Sequence, residues 1–65
     1  MKSKFRIMAV TAVQILWTGE DKAEAECFYN GVISCLMAEK KRDYIVLQEF
    51  STSKNHYTTL KGAIL

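Results

Sequence analysis

Two cysteines, Cys27 and Cys35, and the single histidine His56 are the residues of this 65-residue chain best suited to nucleophilic or metal chemistry. Metal sites built on Cys and His draw their ligands from closely spaced pairs such as C-x2-C or H-x3-H, and the sequence contains none. If Cys27 and Cys35 share one helix, their eight-residue spacing puts them roughly 12 Å apart along its axis. A disulfide needs Cα atoms within about 7 Å, so neither a bridge nor a shared ion fits. The thiols are then expected to be small buried hydrophobes, and reduced thiols suit a cytoplasmic protein. Cys35 with His56 is the one conceivable pair of nucleophile and base. Nothing in the sequence activates that thiol, however, and a histidine beside a turn lysine is ordinarily a solvated surface residue.

Other chemistries are argued away in the same manner. Gly19, Gly31 and Gly62 are isolated from one another, so no glycine-rich loop exists to cradle a phosphate, and Glu20 and Asp21 after Gly19 would repel an anion. Neither G-x-S-x-G nor H-E-x-x-H occurs. Glu20 and Glu24 share a helix face at i, i+4, which is more simply the acidic start of a helix than a catalytic carboxylate pair. The expectation is a non-enzymatic protein with no catalytic residue, metal ligand or cofactor.

The elements that would carry these residues follow from periodicity. Residues 4–17 are rich in β-branched and aromatic side chains and are predicted to form one long strand. In it Phe5, Ile7, Ala9, Thr11, Val13, Ile15 and Trp17 alternate with Arg6, Met8, Val10, Ala12, Gln14 and Leu16. A helix is predicted over 20–42, with Ala25, Phe28, Tyr29, Val32 and Leu36 on one stripe and Ile33 at its margin. Acids gather at its start and Lys40, Lys41 and Arg42 at its end, as the helix dipole favours, and Thr18 offers a cap. Asn30-Gly31 interrupts the run. The alternative is a helix ending there, with Val32 to Ala38 a strand, but the unbroken stripe favours a continuous helix. Residues 44–50, YIVLQEF, form a second strand; STSKN is a turn, and HYTTL at 56–60 is a third strand that KGAIL can extend. The fold class is therefore α+β: one domain over residues 1–65, in β-α-β-β order, a three-stranded and mainly antiparallel sheet with one long helix on one face.

A domain this small buries only roughly 60% of its unfolded surface and usually needs a disulfide, a metal or a partner chain to hold it. With the first two set aside, oligomerisation remains. MKSKFR followed by an apolar run has the layout of a signal peptide, but the run spans 11 residues, short of the ~20 that cross a bilayer, and no small-x-small cleavage site follows it. No membrane association is expected, and cytoplasm is the default location.

Function is read as binding. A strand apolar on both sides cannot be covered by one helix, so its second side calls for a partner, with Met8, Val10, Ala12 and Gln14 on the contact surface. The favoured function is a small protein-interaction module, a subunit, adaptor or inhibitor of the kind mobile genetic elements encode. It self-associates, most simply as a dimer, or binds a larger protein. A second function is nucleic-acid binding through Lys2, Lys4, Arg6, Lys40, Lys41 and Arg42, with Tyr44 and Tyr57 to stack bases. A net charge of +2 and a pI near 8.6 argue against it, as does the acidic run GEDKAEAE. A third is a small-ligand site between protomers, lined by Trp17, Tyr29 or Phe50.

Overall fold

The computed structural model describes residues 4–65. Five elements follow one another: β1 (Phe5–Ala9), β2 (Gln14–Gly19), α1 (Lys22–Ala38), β3 (Tyr44–Ser51) and β4 (His56–Ile64). The strands form one antiparallel sheet in the order β2-β1-β3-β4, and α1 packs on one of its faces. The α+β class, the single helix and the antiparallel pairing agree with expectation. The strand count and order do not: there are four strands, not three, and the order is β-β-α-β-β.

The difference arises at residues 10–13, where the predicted long strand folds back into a hairpin. The Val13 amide donates to the Val10 carbonyl at 3.2 Å, closing a turn, and Val13 takes φ 51°. That left-handed conformation is usually reserved for glycine or asparagine, and a β-branched residue in it is strained. Val10-Thr11-Ala12-Val13 therefore looks like strand in composition. It turns because Asp43 accepts hydrogen bonds from the amides of Thr11 at 2.8 Å and Ala12 at 3.3 Å, supplying from elsewhere in the chain what the local sequence lacks.

The helix runs unbroken through Asn30-Gly31. It is shorter than expected at both ends, and its cap is Asp21, not Thr18. The Asp21 carboxylate accepts from the amides of Ala23 at 2.8 Å and Glu24 at 3.3 Å, satisfying two donors that a helix start leaves unpaired. At the other end the Lys41 amide reaches the Leu36 carbonyl and the Lys40 amide that of Met37, with Lys40 at φ 57°. This is a Schellman stop with lysine where glycine is usual. Lys40, Lys41 and Arg42 thus follow the helix instead of completing its last turn, which holds no basic residue.

Phe5, Ile7 and Ala9 of β1 and Ile45 and Leu47 of β3 point at the helix and meet Ala25 and Tyr29. Ile7, Ile45 and Leu47 are fully buried, and each such side chain contributes about 1.5–3 kcal/mol relative to exposure. Val32, Ile33 and Leu36 pack at the margin of this core with Leu16 and Trp17 of β2. The expected stripe holds, except that Phe28 is exposed and stacks on Trp17 with ring centroids 5.3 Å apart. Both edge strands carry a bulge: the register shifts between Ile7 and Met8 opposite β2, and between Leu47 and Gln48 opposite β4. Leu16 and Leu60 are the extra residues. Cys27 and Cys35 are exposed free thiols on α1, not the buried hydrophobes expected, because both lie off the stripe that faces the sheet.

Two substitutions test these backbone assignments. A Cβ added at Gly31 meets nothing within 4 Å, so Gly31→Ala should raise stability by about 1 kcal/mol in urea denaturation. Val13→Asn should also stabilise, by about 1 kcal/mol, through relief of the left-handed strain; a loss in either case would contradict the conformation described for that residue.

Candidate functional site

Alternation along the strands determines what the second face of the sheet displays. With Phe5, Ile7 and Ala9 turned toward α1, Arg6 and Met8 turn away from it. Tyr44, Val46, Gln48 and Phe50 of β3 do the same, as do Ile15 of β2 and Tyr57 and Thr59 of β4 through their pairing with Met8, Phe50 and Gln48. No element of the described chain lies over this face. It has two halves of different chemistry.

One half is a network of polar and planar groups. The Arg6 guanidinium sits 3.8 Å from the centroid of the Tyr57 ring and donates through Nε to Gln48 Oε1 at 2.7 Å. Gln48 Nε2 in turn donates to Thr59 Oγ1 at 3.2 Å, and Tyr57 meets Phe50 edge to face with centroids 5.2 Å apart. Cation–π contact and the hydrogen-bond chain join β1, β3 and β4 side to side. The other half is apolar: Met8 is half-buried beside the buried Val46, while Ile15 is 52% and Tyr44 39% exposed. Tyr44 lies across Gly62, so closely that a Cβ there would meet its hydroxyl at 2.6 Å. Gly62 thus leaves the space that the ring occupies.

The residues singled out in the sequence are only partly brought together. Met8 lies on the open face and Val10 continues its alternation at the strand end. Ala12 belongs to the turn, and Gln14 pairs with Ala9, whose side chain faces the helix. The four do not form one strip, because the strand expected to align them is a hairpin. Of the basic set, Arg6 and Tyr57 are in contact. Lys4 is exposed and lies 3.9 Å from Glu49, a solvated pair of little energetic weight. Lys40, Lys41 and Arg42 lie at the Tyr44 end of the sheet, away from Arg6, and Lys2 falls outside the described residues. Trp17, on the helix side, Tyr29, in the core, and Phe50, on the open face, do not converge on one pocket. Cys35 and His56 are also apart: the end of α1 leads to the start of β3, whereas His56 pairs with Ser51 at its far end. Among the described residues no group of three or more His, Cys, Asp and Glu is placed to hold a metal ion, and no helix is long and apolar enough to cross a membrane.

Gln48, Thr59 and Asp43 are the residues that sequence reasoning passed over. Alternation in YIVLQEF does put Gln48 on the face of Val46, but its bonding partners depend on the register of three strands. Asp43 had a signal, a short acceptor side chain just before a strand. Its carboxylate also accepts from the Tyr44 amide at 2.6 Å. Burial tends to raise the carboxyl pKa, but the amides of Thr11, Tyr44 and Ala12, with the Thr11 hydroxyl, outweigh it and hold the group below its ordinary value.

No protein family, curated protein or solved structure matches the chain. Its function must therefore be inferred from the surface itself.

Asp43 yields a prediction whose sign is fixed. A carboxyl lowered on folding contributes stability that is present above its unfolded pKa and is lost as pH falls through the folded value. Between neutral pH and strong acid the wild type should lose an increment of urea resistance that Asp43→Asn lacks. The variant should already be less stable at neutral pH, since its amide nitrogen cannot accept from a turn amide. Equal pH profiles for the two proteins would remove Asp43 as the clamp on the turn.

Proposed function

We propose that the chain is a small non-enzymatic interaction module that works by pressing the open face of its sheet against another protein, most simply a second copy of itself. The observation that carries this is the composition of that face. On the apolar half Ile15 and Tyr44 are exposed and Met8 half-buried around the buried Val46, with no described helix over them, while both sheet edges carry bulges, which hinder edge-to-edge pairing. Apolar surface of this kind on a small domain is a usual mark of an interface. A two-fold arrangement suits it, because an apolar patch is complementary to its own copy. Arg6 is already engaged by Tyr57 and Gln48, so no carboxylate from a partner is needed to satisfy it. A cytoplasmic subunit, adaptor or inhibitor, of the sort mobile genetic elements encode, fits this description, with a larger protein as the other occupant of the face.

Nucleic-acid binding is the second reading, favoured by one observation. Glu49 is the only acidic residue in the four strands, and it alternates toward the helix side, so the open face combines Arg6 with Tyr44, Phe50 and Tyr57 and no carboxylate. The small-ligand reading loses support with the separation of Trp17, Tyr29 and Phe50.

Sedimentation equilibrium at micromolar concentration should give twice the chain mass for the wild type, and Ile15→Glu should return the monomer with an unchanged circular dichroism spectrum. The reading is overturned by a wild-type monomer that binds a labelled oligonucleotide at physiological salt, with binding reduced by Arg6→Gln on the open face.

A further inference from the structure

On the helix side of the sheet, α1 and β4 diverge. Lys61 of β4 approaches Glu26 of α1 at 3.9 Å. Beyond it the next β4 side chain turned toward the helix is Ala63, opposite Ile45, and a methyl group is too small to fill the space beside the last turns of α1. An open groove of about 730 Å³ results, lined by the apolar Ile33, Met37, Ala63, Ile64 and Leu65 and by the cationic Lys40, Lys41 and Arg42. Met37 is 62% exposed there, although it belongs to a helix whose opposite side is in the core.

Charge and exposed apolar surface coincide at this end of the molecule. Lys40, Lys41 and Arg42 are all exposed, and none is ion-paired among the described residues. Two carboxylates share this end, Asp43, which accepts from three backbone amides, and Glu39, 3.8 Å from the Cys35 thiol; neutral donors leave both charged, and the three cations outnumber them. Glu20, Asp21 and Glu24 lie at the opposite end of α1. Three cations, none of them in an ion pair among the described residues and in excess over the two neighbouring carboxylates, lie beside an apolar groove and are complementary to an anionic and apolar occupant.

We propose that this groove docks a segment of a partner protein in which carboxylates alternate with apolar side chains, the carboxylates meeting Lys40, Lys41 and Arg42 and the apolar groups packing on Ile33, Met37 and Ala63. The site lies beside α1 and reaches the end of the sheet at Ile64, which pairs with Tyr44; the proposal does not depend on the face described above. The chain would then hold two proteins at once.

The test is an amide NMR titration of the full chain with a short synthetic peptide of alternating Glu and Leu, with Lys/Leu and Glu/Ser peptides as controls. Saturable shifts are expected at Ile33, Met37 and Ala63 with the Glu/Leu peptide alone. Affinity should fall roughly tenfold or more in a Lys40→Glu, Lys41→Glu, Arg42→Glu variant and in Met37→Asp, and be retained in Ile15→Glu, which alters only the open face. Absence of saturation at millimolar peptide would overturn the proposal, as would shifts confined to Met8 and Gln48. So would preferential binding of phosphatidylserine vesicles or an oligonucleotide over the peptide, which would assign the cations to phosphate.

Discussion

One helix set against four strands is the constraint from which the rest of the molecule follows. A helix with its side chains is about 10–12 Å across, while adjacent strands lie about 4.8 Å apart, so α1 shields little more than two strands and on one face only. Leu16 and Leu60 show the consequence. Both are the extra residue of a bulge in an edge strand, yet Leu16 packs on the core beside α1 and Leu60 is 42% exposed. What separates them is reach of the helix, not hydrophobicity. The open face and the groove beside β4 are two further expressions of the same shortage of cover.

Two aspartates define where the elements begin. Asp21 starts the helix by accepting from Ala23 and Glu24. Asp43 starts β3 and clamps the β1–β2 turn onto it, binding residues more than thirty positions apart in sequence. Each substitutes for a local signal that is missing or misplaced: a good turn residue at Val13, a cap at Thr18. Lys40 likewise stands where glycine would be easier. The hairpin turn and the helix stop, at the same end of the molecule, are both held in left-handed backbone by non-glycine residues, so tertiary contacts have to sustain them.

How much of this was legible in the sequence follows from the range of each interaction. The stripe through Ala25, Tyr29, Val32 and Leu36 is a property of neighbours on one helix, and it carried the reading past Gly31 correctly. Alternation in YIVLQEF likewise separated Ile45 and Leu47 from Tyr44, Val46 and Gln48. The hairpin at residues 10–13 was hidden because its decisive acceptor is Asp43, which no local window contains. One long strand over residues 4–17 puts Met8, Val10, Ala12 and Gln14 on a single face and merges β1 with β2, so a missed hairpin changes both the face and the strand count. Arg6 and Tyr57 each carry a chemical signal in the sequence, but their contact depends on the β1–β3 and β3–β4 registers together.

The register of the sheet contains a relation that the helix obscures. Ile7 pairs with Leu47, and a rotation of half a turn about a line between them, perpendicular to the sheet, carries β1 onto β3 and β2 onto β4. The bulge after Ile7 then falls on the bulge after Leu47, Leu16 on Leu60 and Trp17 on Lys61. The backbone is thus close to a pair of equivalent hairpins joined antiparallel along a local dyad, each edge bent in the same sense. Only the side chains and the position of α1 break the equivalence, with Trp17 stacked beneath the helix on one flank and Lys61 extended toward Glu26 on the other. The two flanks of this sheet are one backbone solution used twice, finished once in apolar and once in charged chemistry.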